Sequence, residues 1–311
     1  MTPDPSGRSG CSDLLAEGLL VLDGGMSNAL EDRGADLTDD LWTARLLRDA
    51  PDEVVAVHRT YFEAGADVAT TASYQASVPS LVAAGLGAAE AESLIGTSVT
   101  LARIARDQVQ RASGRRLFVA ASVGPYGAVL ADGSEYRGDY GLDPAQLRDF
   151  HGPRLEVLAA AGPDLFAVET VPDVREAEVL VPLLDEIGLP AWFSYSVADG
   201  RTRAGQSLEE AYAVLAGSSA VIAAGVNCSA PPEVSGAVRA AVAATGRPAV
   251  AYPNRGESWD STTHTWQGAD LFDTALALTW YDEGARLLGG CCRVGPRDIA
   301  GLAEVLAPRR T

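Results

Sequence analysis

Eight short apolar runs punctuate the chain, at residues 19–23, 68–73, 117–123, 165–169, 191–197, 220–227, 249–252 and 285–289. Most are near-continuous in hydrophobic residues and do not alternate, the pattern of parallel strands covered on both faces. The stretches between them carry helical spacing and helix-start signals. Pro51 opens a helix over 51–64 that ends at Gly65, and Pro144, Pro231 and Pro296 open helices over 144–161, 231–244 and 296–306. Proline suits the first helical position and glycine the position just past the end. Strand and helix alternating eight times predicts a parallel sheet, and eight strands close a barrel. The predicted fold class is therefore α/β, a single (β/α)8 TIM-type barrel. An open doubly wound sheet competes, but Asp23-Gly24-Gly25-Met26 after the first run does not match the GxGxxG loop usual there.

Residues 1–17 read as a flexible arm and 18–311 as the barrel domain. The arm is rich in Pro, Gly, Ser and Asp, without the basic start and apolar stretch of a signal peptide. Two segments are long for barrel loops: 124–143, full of Gly, Tyr and acids, and 255–268, with Trp259 and Trp266. Loops of that length tend to be lids or binding loops.

Composition narrows the function. The formal charge of −18 disfavours phosphate backbones and anionic lipid, so neither nucleic acid nor membrane is expected as a partner. All 24 basic residues are arginine, which excludes Schiff-base chemistry on a lysine. Four cysteines without a disulfide-like pattern suit a reducing cytoplasm, where clustered cysteines more often bind metal or do chemistry.

Barrel enzymes carry their chemistry at the C-terminal ends of strands. Asp23, Thr71, Glu169, Asn227, Cys228, Asn254, Cys291 and Cys292 all fall at such ends. Closing the barrel brings Cys228 to the same mouth as the Cys291-Cys292 pair. Three thiolates with a fourth position open match a catalytic zinc site. A vicinal disulfide and plain apolar burial are the alternatives for these cysteines. Three thiolates make zinc a poor Lewis acid toward water, but a fourth thiol would lose its proton there and stay nucleophilic, which favours thiol alkylation. Glu169 closes a buried run, and an unpaired buried carboxylate is costly, so it is expected to face the cavity and meet a cation such as an ammonium. Asp23 has the alternative of capping a turn. His58, His151 and His264 read as surface or packing residues, and Cys11 as incidental.

These residues resemble the homocysteine S-methyltransferase family, particularly its branch using S-methylmethionine. The matching segments include Leu22-Asp23-Gly24-Gly25, Thr70-Thr71-Ala72-Ser73-Tyr74-Gln75, Ser122-Val123-Gly124-Pro125-Tyr126-Gly127 and Ala131-Asp132-Gly133-Ser134-Glu135-Tyr136. Glu169-Thr170-Val171-Pro172, Gly225-Val226-Asn227-Cys228, Tyr252-Pro253-Asn254 and Gly289-Gly290-Cys291-Cys292-Arg293 complete the set. The resemblance implies Zn2+ held by Cys228, Cys291 and Cys292, with homocysteine and a small methyl donor as partners. It also implies that Asp23 and Glu169 hold the homocysteine ammonium, with backbone around Gly24 and Thr71 near its carboxylate and Asn227 alongside. A sulfonium donor calls for aromatic faces, since cation–π contact is worth about 0.5–2 kcal/mol. Tyr126, Tyr136, Tyr140, Trp259 and Trp266 are the candidates, against the alternative that they only pin the loops. The wider alternatives are the same zinc–thiol chemistry with betaine or selenohomocysteine, and a zinc or redox sensor without turnover.

Overall fold

Residues 18–37, 42–260 and 265–310 are described by a computed structural model. The arm 1–17, with Cys11, and His264 lie outside the described residues.

The eight barrel strands are β1 Leu20–Val21, β2 Val68–Thr70, β3 Phe118–Val123, β4 Leu165–Val171, β5 Ala191–Tyr195, β6 Val221–Asn227, β7 Ala249–Tyr252 and β8 Ala285–Leu288. Each pairs in parallel with its sequence neighbour, and β8 pairs with β1. A parallel bridge from Leu22 to Val68 joins β1 to β2 and closes the ring. Asp67 reinforces that seam from below. It accepts from the Val21 N–H at 2.8 Å and pairs with Arg115 and Arg310 at 2.9 and 2.7 Å.

Helices α1 Pro51–Glu63, α2 Ala88–Ser113, α3 Pro144–Ala160, α4 Val174–Ile187, α5 Leu208–Ala213, α6 Pro231–Thr245, α7 Leu276–Asp282 and α8 Pro296–Leu306 surround the barrel. Proline stands at the start of α1, α3, α6 and α8, as the sequence predicts. None of the described helices is long and apolar enough to cross a membrane.

Strand periodicity divides the core in two. Leu20, Leu22, Phe118, Ala120, Leu165, Ala167, Trp192, Ala223 and Leu287 pack together inside the barrel. Their neighbours, among them Val21, Val119, Ala121, Phe166, Val168, Phe193 and Ala224, pack outward with the helices. Continuing the inward parity up each strand reaches Ser122 on β3, Glu169 on β4 and Asn227 on β6. Apolar inward positions thus give way to polar ones one step below the C-terminal mouth, which is where barrel fillers end and a site begins.

Candidate active site

A cavity of about 330 Å³ opens at that mouth. Gly24, Thr70, Thr71, Tyr74, Ser122, Glu135, Tyr136, Glu169, Tyr252 and all three of Cys228, Cys291 and Cys292 line it.

The three sulfurs lie within 4.8 Å of one another. Cys228 Sγ is 3.6 Å from Cys292 Sγ, and Cys291 Sγ is 3.9 Å from Cys292 Sγ. All three cysteines are free thiols. These spacings exceed the roughly 2.05 Å of a disulfide. They fit sulfurs on a tetrahedral zinc, which at about 2.3 Å per bond stand about 3.8 Å apart. The donor set therefore suits a thiophilic metal.

Backbone geometry brings the thiols together. Cys228 leaves β6 at φ +47°, a left-handed conformation uncommon for a residue with a Cβ. Its N–H donates to Tyr252 O at 3.1 Å, which ties it to β7. Cys291 N–H donates to Pro253 O at 2.6 Å. Gly289 and Gly290 act through close approach and not through the freedom of φ that their pairing suggests. A Cβ on Gly289 would stand 2.7 Å from that of Leu22, and one on Gly290 would collide with Val294. The left-handed turn falls instead on Arg293, at φ +65°.

Electrostatics single out Cys228. Hydrogen bonds from Cys291 and Cys292, then from the Tyr136 hydroxyl 3.1 Å away, and the charge of Arg203 hold its thiol well below the usual range. Cys291 and Cys292 are pushed well above theirs, chiefly by the Cys228 sulfur. Three thiols so close part with one proton readily and resist losing more until a cation arrives.

Two buried carboxylates, Asp23 and Glu169, stand toward the C-terminal ends of β1 and β4. Glu169 is buried, accepts from the Ser122 hydroxyl and takes a longer contact from Asn227 Nδ2 at 3.5 Å. Burial first, then the charges of Asp23 and Cys228, raises its pKa to about 8. Asp23 accepts from Thr70 N–H, Thr70 Oγ1 and Tyr252 Oη at 2.7, 2.9 and 2.8 Å. Burial lifts it to about 7 against those donors. Asp23 thus ties the ends of β1, β2 and β7 together, while Glu169 faces the cavity directly.

The remaining predicted residues divide. Thr71 lines the cavity, yet its N–H donates to Ala120 O and its hydroxyl bonds Ser73 and accepts from Ser122 N–H. Asn227 is buried behind the wall, with Oδ1 accepting from Thr170 N–H at 2.5 Å and Nδ2 donating to Thr170 Oγ1 at 2.8 Å. Those bonds hold Thr170 at φ +61°, directly after Glu169. Of the aromatics, Tyr136 lines the cavity, with the Arg203 guanidinium 5.3 Å from its ring centre. Tyr126 and Tyr140 pack against each other at 5.3 Å with their rings tilted by 54°, and Tyr126 also packs edge-on against Phe150. Trp259 and Trp266 are partners in an antiparallel hairpin, and their side chains lie outside the described residues. His58 and His151 are fully buried.

Sequence reasoning passed over the anchor of the long loop. Glu176, buried on α4, accepts from Tyr126 N–H, His151 Nε2 and Tyr140 Oη at 2.6, 2.8 and 3.2 Å. Arg154, also buried, donates to Gly124 O and Tyr74 O at 3.1 and 3.2 Å. Glu176 falls in the first turn of α4 and Arg154 inside α3, positions where nothing local marks them as loop anchors. Ser122, Tyr74 and Glu135 were also passed over as site residues, although all three stand inside motif segments.

The homocysteine S-methyltransferase family profile matches residues 20–306. Homocysteine S-methyltransferase 1 of Zea mays is 44% identical over 316 residues, covering 96% of this chain and 98% of its own length. Homocysteine S-methyltransferase of Escherichia coli is 44% identical, covering 91% and 94%. Among solved structures, the metallated form of the homocysteine methyltransferase MmuM from Escherichia coli superposes with a TM-score of 0.85 at 42% identity, covering 94% of this chain and 98% of that one. With profile, relatives and fold in agreement over nearly the whole barrel, the chain belongs to the homocysteine S-methyltransferase family.

Proposed function

We propose that this protein transfers a methyl group from a small sulfonium donor, S-methylmethionine foremost, to the thiol of homocysteine, giving methionine, with zinc held by Cys228, Cys291 and Cys292. The observation that carries the reading is the cluster of three free thiols beside a buried, cavity-facing carboxylate at the barrel mouth. When bound, zinc supplies the acidity that keeps a fourth thiol deprotonated and electron-rich at neutral pH.

The chain's own residues do the rest. Glu169 takes the amino-acid ammonium, whose charge offsets the carboxylate's cost of burial. Asp23 stands behind it and adds negative potential, and Gly24 and Thr71 form the wall next to the amino-acid carboxylate. Tyr136 donates to Cys228, covers the sulfurs and narrows access by water. Methyl transfer from a sulfonium to a thiolate cancels one positive and one negative charge, so a site poor in water favours it. Three adjacent thiols persist unoxidised in a reducing compartment, and the cytoplasm is the proposed location.

The test is a donor screen with zinc-loaded protein and homocysteine. Turnover with S-methylmethionine, and slower turnover with S-adenosylmethionine, is expected. Turnover with betaine or methyl-folate and with neither sulfonium would overturn the donor assignment.

A further inference from the structure

Besides Glu169, the carboxylates of Glu31 and Glu135 line the cavity; Glu31 is exposed and accepts from Asn28 Nδ2 at 3.5 Å, whereas one oxygen of Glu135 is buried without a partner. Glu135 lies on the short 3-10 turn Ser134–Tyr136 of the loop between β3 and α3. Its Oε2 is shut off from solvent yet has no hydrogen-bond partner among the described residues. The nearby Arg137 guanidinium is engaged with Asp132 and the Ser134 hydroxyl. Burial, and then the charge of Cys228, lifts the Glu135 pKa to about 7. A carboxylate held like this is costly unless a cation meets it.

The loop is built to hold it there. Gly127 packs flat against the returning turn, where a Cβ would stand 2.5 Å from Glu135 N. Glu176 fixes the loop on both sides through Tyr126 N–H and Tyr140 Oη.

We propose that Glu135 is the counter-ion for the positive charge of the methyl donor, and so the residue that selects a cationic donor over a neutral one. This rests on the sulfonium reading above. Glu169 reaches the site from a strand end and faces the amino-acid ammonium, and Glu31, on the short helix Met26–Glu31, is exposed. Glu135 arrives on the loop, next in sequence to the tyrosine that touches Cys228. Tyr136 alone is a weak cation site, because Arg203 already lies over its ring.

The chemistry agrees with a counter-ion that acts on binding. The homocysteine thiol gives its proton to solvent, and the thiolate sulfur forms a bond to the donor's methyl carbon. The carbon–sulfonium bond breaks, and its electron pair stays on the donor sulfur as a neutral thioether. The donor loses its charge in that step, so Glu135 favours donor entry and product departure more than the transition state.

The test compares zinc-loaded wild type, Glu135→Gln and Glu135→Asp, with melting curves to establish folding. In Glu135→Gln the KM for S-methylmethionine should rise roughly tenfold or more, with kcat and the KM for homocysteine within about twofold. Glu135→Asp, which keeps the charge, should fall between. Calorimetry without homocysteine gives a readout independent of turnover. Wild type should prefer S-methylmethionine over methionine, its neutral thioether counterpart, and Glu135→Gln should lose that preference. A preference absent from wild type, or retained in Glu135→Gln, overturns the assignment of Glu135. Wild type that binds S-methylmethionine with this Glu135-dependent preference but never turns it over would sink the proposed reaction and leave the cation site standing.

Discussion

The hydroxyl of Tyr136 lies 3.1 Å from Cys228 Sγ, so a residue of the long β3–α3 loop touches a thiol at the end of β6. Tyr136 helps to hold the Cys228 thiol low. A hydrogen bond to a charged group is worth about 1.5–3 kcal/mol, or about one to two pKa units. In metal-free Tyr136→Phe, the pH profile for alkylation of Cys228 should move upward by about that much, read by peptide mapping. An unmoved profile would remove Tyr136 from the site's electrostatics.

Cys228, Cys291 and Cys292 should each be required for a full equivalent of metal, because two sulfurs leave a tetrahedral centre half built. Elemental analysis of the three single Cys→Ser variants, after mild chelation, measures this. Full zinc retained in all three would refute the site.

Glu169→Gln removes the charge proposed to meet the substrate ammonium while preserving shape. Breaking a buried charge pair costs about 2–5 kcal/mol, so kcat/KM for homocysteine should fall roughly 30-fold to several thousand-fold. Zinc content should stay unchanged. Wild type that methylates homocysteine no better than a simple alkanethiol would show that the ammonium is not read at all.

Glu169 also makes the metal-free protein respond to pH. Its pKa is about 8 when folded, against an ordinary 4.5. Between those values the folded state holds a proton that the unfolded state has released, so this group's contribution to stability falls as pH rises from about 4.5 to 8. Asp23, raised from 3.8 to about 7, acts in the same direction. His58, His151 and Cys228 are shifted downward and act oppositely. The comparison with Glu169→Gln cancels His58 and His151, whose shifts do not arise from Glu169, and reads Glu169 together with its coupling to Asp23 and Cys228. Metal-free wild type should lose stability relative to the variant across that window, and parallel melting-temperature curves would exclude it.

Much of the barrel was legible because its signals are local. Apolar runs covered on both faces mark parallel strands, and prolines mark helix starts. The observed strands begin or stop one to three residues from most of the predicted runs, as with Val68–Thr70 inside 68–73. Where a strand stops short, ladder bonds cease before the apolar run does, whereas β4 runs on to Val171, two residues past its run. Thr71 N–H still reaches across to Ala120 O, but Thr71 and Ser73 then turn to hydrogen-bond each other.

The sequence by itself determined the alternation that makes a barrel and the presence of three cysteines at strand ends. It also determined the arginine-only basic set that excludes lysine chemistry. Only the tertiary structure decided that the sulfurs stand 3.6 and 3.9 Å apart across two of their pairs. It alone showed that Asp23 ties strand ends together while Glu169 faces the cavity, and that Tyr136 touches a thiol. It likewise showed that one oxygen of Glu135 is buried without a partner among the described residues. Period and composition depend on neighbours along the chain, whereas hydrogen-bond partnership and desolvation depend on groups that folding brings from far away. Asp23 and Tyr252 are 229 residues apart in sequence and share one hydrogen bond.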